Sequence, residues 1–236
     1  MPIFALNKSL DFPDPELADP SGVLAIGGDL RPERLLRAYS LGIFPWPCEG
    51  YPLMWHAPPR RFVLAPAQLT VGRTLRKVLK KHPFVITLDR RFADVMRACS
   101  AAPRPGQDGT WIDEAMIKAY STLHRMGHAH SVEAWRGEEL VGGLYGISLG
   151  KAFFGESMFA LADNASKVAF ATLVRQLARW EFELVDAQVE TPLLASFGAV
   201  SVPRRDFSRA LAHALQAPSR LGPWQLDEAL RCGAEA

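Results

Sequence analysis

Apolar residues recur along the chain in two rhythms, and after residue 70 the rhythm switches several times. Val71, Leu75, Val78 and Leu79 fall at helical spacing, which predicts a helix over 71–81 that stops before Pro83. Residues 84–88 form an apolar β-branched run and predict a strand; 91–100 and 113–126 return to helical period. Three further runs, 130–135, 140–149 and 152–159, are separated by tight turns at Arg136-Gly137-Glu138 and Gly150-Lys151, the pattern of an antiparallel meander. A helix from about 164 to 180, a strand over 182–189 and a helix over 207–215 complete the series. Strands in a meander, then a helix, then another strand predict an α+β fold with an acyltransferase-like layer.

The first sixty residues follow neither rhythm for long, because Pro and Gly interrupt them. One helix fits, over 32–40, with Pro32 in its first turn and Gly42 as a left-handed stop. Arg31 is a poor N-cap, so Asp29 is expected to cap instead. Phe44, Trp46 and Trp55 are expected to hold this stretch together as a small α/β lobe, residues 1–63, beside a larger domain, 64–236.

Composition narrows the class. With 48% apolar and 22% charged residues, the 236-residue chain reads as an ordinary globular protein long enough for a core without staples. Cys48, Cys99 and Cys232 are scattered and lack metal-site spacing, so reduced thiols are expected, with no disulfide frame. No signal peptide or membrane-length apolar run is visible, and a cytoplasmic monomer is expected. Net charge is only +2, but its distribution is uneven. Between Gly50 and Leu88 there is no Asp or Glu, while Arg60, Arg61, Arg73, Arg76, Lys77, Lys80 and Lys81 all fall there. One acid-free basic stretch in a near-neutral protein points to a polyanionic partner.

Within that stretch Arg73, Arg76, Lys77, Lys80 and Lys81 are spaced to share one helix face, opposite the apolar stripe. A solvated face would mix signs, and the stripe is narrow for a membrane surface, so RNA phosphates are favoured. If about three phosphates are neutralised, the salt slope is roughly −2 to −3. The strand 183–189 carries Asp186 and Gln188 on one face if side chains alternate. Such polar groups in an apolar strand are costly unless satisfied, either by a structural network or by a substrate. Gly155-Glu156-Ser157 lacks the final Gly of a nucleophile elbow, which disfavours Ser157 and leaves Glu156 as a carboxylate that could read a cation. His124, His128 and His130 have no acidic or thiol ligand at useful spacing, so no metal is expected. Gly27-Gly28-Asp29 matches neither a phosphate loop nor a dinucleotide fingerprint.

Several long motifs together resemble one family, the leucyl/phenylalanyl-tRNA–protein transferases. They are Leu24-Ala25-Ile26-Gly27-Gly28-Asp29-Leu30, Gly42-Ile43-Phe44-Pro45-Trp46 and Gly109-Thr110-Trp111-Ile112, followed by His128-Ala129-His130-Ser131-Val132-Glu133 and Val141-Gly142-Gly143-Leu144-Tyr145-Gly146. Gly155-Glu156-Ser157-Met158-Phe159, Asn164-Ala165-Ser166-Lys167 and Asp186-Ala187-Gln188 complete the set, and the resemblance runs from Phe12 to about Leu211. It implies a small N-terminal lobe beside a GNAT-like domain that uses aminoacyl-tRNA in place of acyl-CoA, with no cofactor. It also implies transfer of Leu or Phe, and sometimes Met, to proteins beginning with Arg or Lys, which marks them for degradation. By the same resemblance Trp46 and Trp111 lie near the terminal adenosine. Leu144, Met158, Phe170 and Val185 wall the amino-acid pocket, Tyr120 joins the substrate-binding set, and Asp186 and Gln188 form the catalytic pair. The basic helix becomes the tRNA-binding cluster. Two positions depart from the family: Ala187 stands where Cys is common, which argues against a thiol nucleophile, and Leu193 replaces a frequent His. The competing readings are a GNAT-type acetyltransferase and a noncatalytic tRNA-binding module.

The implied reaction is aminolysis of an activated ester. An unperturbed Asp lies about four pKa units below an α-amine, so Asp186 as a simple base is strained; it is expected to orient Gln188. Glu156 is expected to read the acceptor's Arg or Lys, and a narrow entrance at Met158 to reject Cβ-branched donors.

Overall fold

The computed structural model describes residues 3–48, 50–103 and 110–231; Gly109 of the Trp111 motif and Cys232 lie outside them. A four-stranded sheet, in the order β1-β2-β4-β3, is formed by β1 (Phe4–Leu6), β2 (Val23–Gly27), β3 (Phe44–Pro45) and β4 (Met54–His56). A seven-stranded sheet contains β5 (Arg60–Leu64), β6 (Val85–Leu88), β7 (Ala129–Arg136), β8 (Glu139–Leu149), β9 (Ala152–Ala160), β10 (Leu184–Gln188) and β11 (Val200–Pro203). Its order is β11-β5-β10-β9-β8-β7-β6, antiparallel throughout except for the parallel pair β9 and β10. The helices are α1 (Pro32–Ser40), α2 (Arg73–Leu79), α3 (Phe92–Ala101), α4 (Glu114–Arg125), α5 (Ala165–Arg179), α6 (Pro192–Ala195), α7 (Arg204–Ala214) and α8 (Glu228–Arg231).

The architecture is α+β, and the meander is present as β7-β8-β9 with β6 added at its outer edge. A parallel pair needs a crossover, and α5 supplies it between β9 and β10. Alternation along the strands sends Tyr145 and Phe154 to one face and Leu144 and Phe153 to the other. The first face is covered by α3, α4 and the small sheet in one continuous core that includes Leu24, Trp55, Met96 and Tyr120. The second is covered by α5, whose Val168, Phe170, Leu173, Val174 and Leu177 are buried. The expected division after residue 63 falls inside β5, whose residues pair with the larger sheet. Phe44 and Trp55 are buried in the small lobe as expected, whereas Trp46 is only half-buried.

Local chemistry explains where α1 stops. Gly42 has φ 73°, and the amides of Gly42 and Ile43 bond back to the carbonyls of Tyr39 and Ala38, a Schellman ending. At the other end Asp29 does not cap the helix. Its carboxylate accepts from the Arg31 amide and from the side chains of Arg31 and Arg34, and Arg34 is fully buried and needs a counter-charge. Partial burial alone would raise the Asp29 carboxyl, but these partners bring it down to about 2. Helix α2 is shorter than the 71–81 expectation: Gly72 is its extended N-cap, and the chain turns at His82, whose φ is 45°.

Candidate active site

Two ladders of the large sheet are irregular, β9 against β8 and β10 against β5, and the irregularities bring the side chains of Glu156 and Gln188 together. Tyr145 pairs with Ser157 and Gly146 with Gly155, so Glu156 is an extra residue, a β-bulge. Gly146 makes this possible, since a Cβ there would lie 2.2 Å from the Phe154 carbonyl. On β10, Asp186 pairs with Val63 and Gln188 with Phe62, so Ala187 is likewise extra, and Gln188 sits at φ 60°. The expected alternation of β10 therefore holds through Asp186 and fails at Ala187. The cause is local: the Gln188 amide donates to Asp186 Oδ1 at 2.8 Å, and that contact draws the backbone into a turn. A non-glycine residue in the left-handed region costs about 1–3 kcal/mol, which the surrounding contacts must offset.

Those contacts form one connected set. Asp186 is fully buried and held by Arg61, Nε to Oδ1 at 2.8 Å and Nη2 to Oδ2 at 2.6 Å. The Arg61 guanidinium lies 4.6 Å from the ring centres of both Phe44 and Phe207, and its Nη1 donates to the Gly42 carbonyl at 2.8 Å. Arg61 thus serves the interior, which removes it from the basic surface inferred from composition. Gln188 Nε2 donates to Glu156 Oε1 at 2.7 Å. The same oxygen accepts from Tyr39 Oη at 2.7 Å, while Tyr120 Oη donates to Oε2 at 3.3 Å and lies 2.5 Å from Tyr39 Oη. Burial pushes the Glu156 carboxyl up, to about 7, against the three hydrogen bonds that favour its charge; the nearby Asp186 charge adds to the rise. Burial, with the Glu156 charge second, keeps both tyrosines protonated well above their usual range.

A cavity of about 570 Å³ opens beside this network. Leu144, Met158, Phe170 and Val185 line it, as do Trp46, Trp111, Glu156, Asp186 and Gln188. Phe44, Phe153, Leu193 and Leu194 make its wall more apolar still. Among the described residues that line it, the ionisable carboxylates are Glu156 and Asp186, and Asp186 is already paired. Tyr120 departs from its expected place: it is fully buried behind Glu156 and touches the site through that carboxylate instead of lining the cavity. Sequence reasoning missed Tyr39 and Arg61 as site residues. Gly42 carried the available signal, because the helix end it marks places Tyr39 and its own carbonyl beside the network.

The remaining candidates are accounted for by their surroundings. Arg73, Arg76, Lys77, Lys80 and Lys81 are all exposed, with Leu79 buried beneath; the helix ends at Leu79, so Lys80 is its C-cap and Lys81 belongs to the turn that follows, not to the expected helix face. Ser157 lies within β9, with no strand–turn–helix elbow. His130 Nδ1 donates to Asp89 Oδ2, 2.8 Å away, and the ring stacks on Trp224, while His124 stacks on Phe92. A second cavity, about 650 Å³, lies under β6, where Asp89 is occupied by His130 and by the amides of Ser131 and Trp224. No helix among the described residues is long and apolar enough to cross a membrane.

The cavity thus sets an apolar wall beside an oriented carboxamide and a carboxylate, and comparison with known proteins supplies the class. A family described as leucyl/phenylalanyl-tRNA protein transferase matches residues 63–212, and the N-terminal domain of that family matches 28–59. The chain is 58% identical to the leucyl/phenylalanyl-tRNA–protein transferase of Myxococcus xanthus over 95% of its length and 97% of that protein. It is 54% identical to the protein of that name from Anaeromyxobacter sp. strain Fw109-5, covering 96% and 97%, and 51% identical to the one from Desulfatibacillum aliphaticivorans, covering 96% and 97%. The protein is an aminoacyltransferase. It belongs to the leucyl/phenylalanyl-tRNA–protein transferase family.

Proposed function

We propose that this enzyme moves Leu or Phe, and also Met, from aminoacyl-tRNA to the α-amine of proteins that begin with Arg or Lys, marking them for degradation in the cytoplasm. The observation that carries this reading is the cavity itself: an apolar wall for the donor side chain ends at Gln188 and Glu156, where an amine can meet the ester. Leu144, Phe170 and Val185 are buried, while half-buried Met158, with its unbranched flexible chain, adapts to more than one unbranched side chain. Trp46 and Trp111 offer half-buried rings on which the terminal adenosine can stack, each worth about 1–3 kcal/mol. The exposed cations of α2 and its C-terminal turn take the tRNA phosphates. Glu156, as the cavity's carboxylate outside an ion pair, draws the positively charged N-terminal residue of the acceptor.

Asp186 and Gln188 act by position. Asp186, locked to Arg61, fixes the Gln188 backbone, and Gln188 presents its carboxamide to the incoming amine. Orientation of this kind can supply most of the acceleration for an ester that is already activated. The parallel pair β9 and β10, which stops pairing after Phe154 and Asp186, supports a GNAT-like reading of the larger domain. The boundary with the small lobe then lies between β4 and β5. The test is transfer of radiolabelled Leu from tRNA to a peptide starting with Arg, with a Gly-starting control. Label on the Arg peptide alone is the expected result. Acetyl transfer from acetyl-CoA without any tRNA-dependent product would overturn the reading.

A further inference from the structure

The acceptor's α-amine reaches neutral water mostly as an ammonium, so something must take a proton before it can attack. Asp186 is badly placed for this. Both its oxygens are engaged by Arg61, one also by the Gln188 amide, and it is fully buried. Glu156 is placed well. It is a bulged residue aimed into the cavity, half-buried, and joined to Gln188, the residue that meets the amine.

Resting on the transferase reading, we infer that Glu156 is a catalytic residue, the base that takes the proton of the acceptor's α-ammonium, with Tyr39 and Tyr120 as positioning residues behind it. The ammonium gives one proton to a carboxylate oxygen of Glu156 and becomes a neutral amine. Its lone pair forms the C–N bond at the ester carbonyl. As the C–O bond to the ribose breaks, the ribose oxygen takes a second proton from the nitrogen, and Glu156 returns its proton to solvent. One ammonium and one ester thus yield one amide, one ribose hydroxyl and one released proton.

The groups facing Glu156 fit this role. Tyr39 comes from α1 and Tyr120 from α4, both as neutral donors; Gln188 comes from β10; and Asp186 beside it is neutralised by Arg61 from β5. With its carboxyl near 7, Glu156 lies about one unit below an α-amine, where an ordinary Asp lies about four below. The proton transfer is therefore nearly balanced, the condition under which a general base works best, commonly by 10²–10⁴-fold.

The test compares Glu156→Gln with the unaltered enzyme on two acceptors of identical side chains, one with an ordinary α-amine and one with an aminooxy terminus that is uncharged at neutral pH. The amine acceptor should lose about 10²-fold in kcat/KM and the aminooxy acceptor only a few-fold. Equal losses would mean that the carboxylate serves only the acceptor's side chain and would overturn the inference alone. An unaltered enzyme that transfers to neither would overturn the transferase reading and this inference with it. A second variant, Tyr39→Phe, removes one hydrogen bond to the carboxylate and should move the inflection of the pH–rate profile upward at unchanged KM for charged tRNA; an unmoved inflection counts against the base.

Discussion

Arg61 is the residue whose behaviour differs most from its composition. It sits in the acid-free stretch, yet it is 1% exposed, clamped between two aromatic rings and paired in both directions of its fork with Asp186. Arg suits this place better than Lys because its planar fork matches a carboxylate and stacks on rings. Removing one partner of a buried pair strands the other charge in a low-dielectric interior, which costs more than the pair itself contributes. Arg61→Met should therefore lower stability by about 3–5 kcal/mol, measured by urea unfolding. The double variant Arg61→Met, Asp186→Met should recover much of that stability, because two apolar chains can fill the space. Transfer activity should stay low in the double variant, since no carboxylate remains to turn the Gln188 amide. A double variant as unstable as the single would show that the ion pair itself, and not the stranded charge, holds the strands together.

Among the elements, α2 is the one whose shape the sequence largely conveyed. Its apolar stripe is inward, its cations are outward, and no acid lies within it. If it contacts phosphate, each neutralised charge contributes to the salt dependence, so Lys77→Gln should reduce the magnitude of the logarithmic salt slope by about 1. The measurement is tRNA affinity between 50 and 200 mM salt; an unchanged slope would place the RNA elsewhere. The long periodic elements were equally legible. The meander, α5 and α1 with its Gly42 ending all follow from period and punctuation in the chain. The short strands of the small sheet were not, because two- to five-residue strands broken by Pro and Gly carry too few alternations to register. The site was legible in its residue types but not in its geometry. Glu156 is the extra residue of one bulge and Gln188 follows the extra residue of another, and a bulge is invisible to a period-two reading because it depends on the partner strand. Tyr39 was hidden for a different reason. It reads as an ordinary inward helix residue, and its partner is 117 positions away.

At the scale of the molecule, the polar network closes a circuit between α1 of the small lobe and three strands of the large sheet. Gly42, at the end of α1, holds Arg61 of the large sheet; Arg61 holds Asp186; Asp186 and Gln188 lead to Glu156; and Glu156 returns to Tyr39 on α1. The small lobe is therefore tied to β5 and β9 by hydrogen bonds as well as by shared core, so the ionisation of one carboxylate bears on the stability of the whole fold. The sign of that effect follows from linkage. The Glu156 carboxyl goes from 4.5 to about 7, so between those values the folded protein holds a proton that the unfolded chain has lost. Stability from this group is fully present below about 4.5, falls as pH rises, and is gone above about 7. At 1.36 kcal/mol per unit the total is on the order of 3 kcal/mol. Glu156→Gln cannot titrate and retains an oxygen that can accept from Tyr39. Relative to the unaltered protein it should gain stability from pH 5 to about pH 7 and level off above that, as urea midpoints at a series of pH values would record. A constant difference across that range would mean that the folded carboxylate ionises like a solvated one. The network would then be a set of ordinary hydrogen bonds around a charge that water already stabilises.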